Sequence, residues 1–122
     1  MIHQAVDALV RRYQTSNPFV LSRYLQIVLM PRKTPNGLWG IYVWHDAHAY
    51  FGYDEGSPLP KQHEFVAHGI GHCVLHRDTK PLILEWHVPQ DCPLEQDAQR
   101  FAERLLKSGS VHALPEIPSQ SV

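Results

Sequence analysis

Histidine spacing is the strongest constraint on this chain. In the run Gln62-His63-Glu64-Phe65-Val66-Ala67-His68-Gly69-Ile70-Gly71-His72-Cys73-Val74-Leu75-His76, three of the nine histidines fall four residues apart, at His68, His72 and His76. On an α-helix each step of four turns by about 40° and rises about 6 Å, so neighbouring imidazoles in this series can converge on one ion. Paired neutral imidazoles suit zinc. A helix from Pro60 to about His76 is therefore expected to carry the chemistry. His63-Glu64 followed by His68 is not an H-E-x-x-H motif, because it holds one residue too many. Five residues set His63 and His68 about 140° apart on the helical wheel. The usable pair is His68 and His72, and the residue after His68 is Gly69 rather than glutamate.

Two histidines on one helix need a third ligand from elsewhere. Glu95 is the best placed, in the first turn of a helix opened by Pro93, with Leu94, Ala98, Phe101, Ala102, Leu105 and Leu106 along its apolar face. Two histidines, one glutamate and an open fourth position make a hydrolytic zinc arrangement. Plainer readings exist for each residue. Histidine pairs at this spacing arise by chance on amphipathic helices, and a first-turn glutamate favours the helix dipole without any metal. His76 lies a turn beyond the pair and suits a structural role. Cys92 stands near Glu95 but is the weaker ligand. Gly71 suits close approach by another element, whereas Gly69 carries the helix-propensity cost of glycine without an evident packing reason.

The rest of the chain frames this helix. At 122 residues it is the size of one domain, expected over 1–110, with a loosely ordered tail over 111–122. Ile2, Val6, Leu9, Val10 and Tyr13 repeat at helical spacing. Asn17-Pro18 is a cap and first-turn signature for a short second helix to about Leu25. Ile27 to Met30 reads as a strand. After the turn signal Thr34-Pro35-Asn36-Gly37, the stretches Leu38 to Trp44 and His48 to Tyr53 read as a hairpin. Asp78 to Asp91 reads as an extended connection, and Ser108-Gly109 should end the fourth helix. The expected fold is α+β, with about four helices and a small three-stranded antiparallel sheet.

Eleven Lys+Arg against twelve Asp+Glu leave a formal net charge of -1, which argues against direct nucleic-acid binding through a broad basic surface. No apolar run approaches the roughly 20 residues of a membrane helix, and the start of the chain lacks a signal-peptide pattern. Two cysteines are too few for a disulfide framework, so a reducing, cytoplasmic setting is expected.

Several of these segments, in order, resemble the ImmA/IrrE family of zinc metallopeptidases. Tyr13-Gln14-Thr15-Ser16-Asn17-Pro18-Phe19 is similar to that family's Y-x-T-x-(D/N)-P-F opening, and Gly40-Ile41-Tyr42 to its first hairpin strand. Phe65 to His76 resembles the F-x-x-A-H-E-L-G-H-x-L-L-H signature. Glu95-Gln96-Asp97-Ala98-Gln99-Arg100-Phe101-Ala102 resembles E-x-E-A-N-x-F-A, whose first glutamate is a metal ligand. The resemblance implies a zincin-like domain, zinc held by His68, His72 and Glu95, and a protein partner such as a helix-turn-helix repressor of a phage or mobile element. Two departures stand out: Gly69 replaces the general-base glutamate, and the chain stops soon after Leu106.

Loss of a general base costs on the order of 10²- to 10⁴-fold. Glu64, one turn before His68, is a candidate substitute base or extra ligand, although it lies about 7 Å along the axis from position 69. Three readings follow: a zinc-binding domain with impaired or lost hydrolysis, an active endopeptidase with another base, and a metal-independent anti-repressor or adaptor.

Overall fold

The computed structural model describes residues 1–34, 38–76, 82–85 and 92–120, with backbone alone for 82–85 and 109–120. Helix α1, Ile2–Tyr13, buries Val6 and carries Arg11 and Arg12 in its last turn, where cations favour the dipole. Gln14 closes it in the left-handed region, at φ 59°. Asn17 caps α2, Pro18–Tyr24: its side-chain oxygen accepts from the amides of Phe19 and Val20 at 2.8 and 3.3 Å.

Strands β1 (Ile27–Arg32), β2 (Gly40–His45), β3 (His48–Asp54) and β4 (Leu82–Glu85) follow, with α3 (Leu59–Leu75) before β4 and α4 (Pro93–Gln120) after it. Asp46 and Ala47, both at positive φ, make the tight β2–β3 turn. The class is α+β with four helices, as expected. The sheet corrects the three-stranded antiparallel expectation: it has four strands in the order β1-β3-β2-β4, and β1 runs parallel to β3. The cause is where the strands end and begin. Arg32 lies beside Asp54 at the end of β3, and Gly40 lies opposite Tyr53 on β3's other side. β1 therefore ends and β2 begins beside the same end of β3, and β3 lies between its two predecessors. The fourth strand falls within the segment read as an extended connection.

Side chains alternate across the sheet, so Tyr42, Ala49, Phe51 and Tyr53 share the buried face with Ile27 at its edge. This face packs on α3, whose other side meets α4. The consequence is a helix buried almost all round from Phe65 to His72. Its two glycines face the two contacts. A Cβ on Gly71 would stand 3.1 Å from the Cα and carbonyl oxygen of Ala98, so the helices close over a residue without a side chain. A Cβ on Gly69 would stand 2.4 Å from Tyr42 Cε1 and 2.5 Å from Phe51 Cε2. The packing reason absent from the sequence reading of Gly69 is thus the sheet itself. Helix α4 continues past Ser108-Gly109, the expected stop, and Arg104 on it grips both carboxylate oxygens of Asp7 on α1 at 3.1 Å. Among the described residues, no helix is long and apolar enough to cross a membrane.

Candidate metal centre

Three of the residues singled out in the sequence meet between α3 and α4. His68 and His72, one turn apart on α3, direct their Nε2 atoms at one oxygen of Glu95, at 2.8 and 3.0 Å. Their ligand atoms all lie within 4.8 Å of one another, and the three residues are 0, 2 and 8% exposed. Pro93 starts α4 and brings Glu95 into its first turn, where the helix dipole adds to the field favouring a carboxylate.

The outer ends of the two imidazoles are also engaged. His68 Nδ1 lies 3.0 Å from Gln99 Oε1, and the Gln99 amide nitrogen donates to Glu64 Oε2 at 3.1 Å and to Glu103 Oε2 at 3.3 Å. Those two carboxylates fix which way the Gln99 amide points, so its oxygen faces His68 and Nδ1 must be the donor. A neutral His68 then turns the lone pair of Nε2 towards a carboxylate oxygen, an arrangement that needs a cation between them. A proton or a metal ion meets that need, and the donor set fits a metal. The group His68, His72 and Glu95 can hold a metal ion.

His72 has its own support. Its Nδ1 lies 3.2 Å from His76 Nδ1, and His76 Nε2 is 3.8 Å from Asp97 Oδ2. Burial, with the nearby His72 imidazole second, pushes the His76 pKa below the usual histidine range, against the opposing pull of Asp97 and Glu95. His76 thus meets His72 at Nδ1, the nitrogen opposite the one that meets Glu95.

Glu64 is linked through Gln99 to Nδ1 of His68, the nitrogen opposite the one that meets Glu95. One Glu64 oxygen accepts from Gln99 and the other is 3.9 Å from Lys61 Nζ, so it acts on His68 through Gln99. Cys92 is exposed and Cys73 is partly buried. Gln99 was not singled out from the sequence, yet a signal existed: it follows Glu95 by four residues and so shares its helix face. Tyr42 carried no such signal, since nothing local ties a strand residue to a helix two elements later. Its ring lies parallel to His68, with centroids 6.1 Å apart and 8° between planes. Trp39 meets the same imidazole edge-on at 5.6 Å.

Gln99→Ala is expected to weaken metal binding by about 10- to 100-fold through loss of the His68 orientation, a change that titration calorimetry would read directly. Since Gln99 is only half-buried, the melting temperature of the metal-free chain should hold.

Fold and site together define an α+β protein with a candidate two-histidine, one-glutamate metal centre. The chain is similar to a protein of Bacillus phage phi105 named "Uncharacterized immunity region protein 2", 28% identical over 107 residues that cover 87% of this chain and 68% of the relative. No family model and no solved structure matches the chain.

Proposed function

We propose that this protein is a regulator of the phage-immunity type that holds zinc at His68, His72 and Glu95 and acts on a protein partner, such as a helix-turn-helix repressor, with hydrolysis impaired or lost. The observation that carries the reading is the convergence of two buried imidazole Nε2 atoms on one Glu95 oxygen. The relative's name places that protein in a phage immunity region, and the ordered motifs around Asn17-Pro18, His68 and Glu95 support a metallopeptidase-like ancestry.

A zinc ion held there would acidify a bound water and polarise a carbonyl. The chain's own residues supply binding and orientation: Gln99 sets His68, and His76 stands behind His72. They supply no carboxylate at position 69. Glu64, the candidate substitute base, accepts from Gln99 and lies 3.9 Å from Lys61 Nζ, contacts that favour the reading of impaired hydrolysis.

Elemental analysis of the purified chain and of His72→Ala tests the metal. About one zinc per chain, lost in the variant, is expected; absence of zinc after incubation with it would reject the site. Incubation with a helix-turn-helix repressor from the same genome tests the chemistry. Capture of the repressor without cleavage is expected, and efficient cleavage would reject impaired hydrolysis.

A further inference from the structure

Position 69 reads from the sequence as a vacancy, a place where a catalytic side chain has been removed. The packing gives it a different character. The direction in which a Cβ would leave Gly69 is filled by the rings of Tyr42 and Phe51, whose nearest atoms would stand 2.4, 2.5 and 2.7 Å from it. Neither ring is a flexible surface group. Both are fully buried and lie directly opposite each other on β2 and β3. Tyr42 is pinned further, because its hydroxyl donates to the carbonyl oxygen of Phe65 at 2.6 Å, one helical turn before Gly69. The same ring lies parallel to His68 and 5.7 Å from the His72 centroid.

We infer that Gly69 is a seat for the Tyr42 and Phe51 rings, and that Tyr42, held in this seat, is a positioning residue that acts on His68 and His72 from the sheet side, alongside Gln99 and His76. The inference rests on the proposed metal site and adds to it a rule about position 69. Any side chain there pushes Tyr42 off the imidazoles and degrades the site. Glycine at 69 is then a requirement of metal binding in this chain, and replacement by glutamate damages the centre instead of supplying a base.

The test is a comparison of melting temperature, zinc affinity and the visible absorption of the cobalt-loaded chain. Gly69→Ala and Gly69→Glu are set against native protein, with Gly71→Ala as a control on the other face of the same helix. Gly69→Ala should lower the melting temperature by on the order of 10 °C, despite the better helix propensity of alanine. Zinc affinity should fall at least tenfold, with an altered cobalt spectrum. Gly71→Ala meets the Ala98 backbone at 3.1 Å, a smaller overlap than at Gly69, and should lower the melting temperature by less than Gly69→Ala does. In a Tyr42→Leu/Phe51→Leu background, which lacks the colliding ring atoms, Gly69→Ala should cost nothing further.

A vacant position predicts the opposite: Gly69→Ala would raise the melting temperature, and Gly69→Glu would leave zinc affinity and spectrum intact. Either result overturns the seat. So does an equal loss from Gly69→Ala in the native and ring-trimmed backgrounds. If the ring-trimmed chain does not fold, Tyr42→Leu alone carries the comparison, and failure to recover any of the loss overturns the inference. A native chain that binds no zinc rejects the proposed metal site, while the melting comparison still decides the packing at 69.

Discussion

Chains carrying Glu95→Gln are expected to fold as the native chain does and to lose at least about a hundredfold in zinc affinity, as befits removal of an anionic ligand rather than an outer partner. The amide keeps the shape of the carboxylate and can donate towards the imidazole nitrogens that Glu95 now faces at 2.8 and 3.0 Å, so no buried polar group is stranded. Linkage makes the loss measurable by melting. At free zinc a thousand times the native dissociation constant, binding stabilises the native chain by about 4 kcal/mol. A hundredfold weaker variant gains only about 1.4 kcal/mol under the same conditions. In chelator the difference between the two chains should vanish. Equal stabilisation by zinc in both would show that Glu95 serves only as a first-turn charge.

The helices were legible in the sequence because their causes are local. Asn17 and Pro18 write the start of α2, and the apolar repeat of α1 writes its buried face. The histidine run on α3 and Glu95 in the first turn of α4 were legible as ligand types, and the meeting of the two helices follows from their apolar faces. The sheet was less legible. Neighbouring strands in sequence usually pair, and nothing in Ile27 to Met30 announces that β3 will return to lie beside it. The β4 pairing has the same character, set by β2's open edge rather than by the residues of Leu82–Glu85. The two glycines of α3 show the limit most sharply. Gly71 could be read as a contact with another element, whereas Gly69 owes its identity to Tyr42 and Phe51, residues 27 and 18 positions earlier. The surroundings of the candidate metal site are equally non-local: nothing on α3 alone shows that Gln99 of α4 will link Glu64 to His68.

Phe65→Ala should be the most damaging single core change, because it acts on stability and on the metal site together. Phe65 is fully buried and stacks on Tyr42 at 4.4 Å with 17° between planes. Trp39 meets it edge-on at 5.1 Å, and Tyr53 lies at 6.0 Å. Truncation leaves a cavity under three rings and should cost about 3–5 kcal/mol, a large part of the 5–15 kcal/mol typical of a domain. Denaturant unfolding would read this as a lower midpoint with little change in slope. Loss of mass alone does not predict an effect on metal binding, so Leu21→Ala serves as the comparison. Leu21 is equally sealed, on α2 rather than on the helix that carries the imidazoles, and its truncation costs about 2–5 kcal/mol. Under conditions where both variants remain folded, Phe65→Ala should bind zinc at least tenfold more weakly, since Tyr42 loses the partner that holds it against His68. Leu21→Ala should bind zinc as the native chain does. Equal affinities in the two variants would mean that the aromatic layer contributes to the core alone and leaves the imidazoles to be oriented by Gln99 and His76.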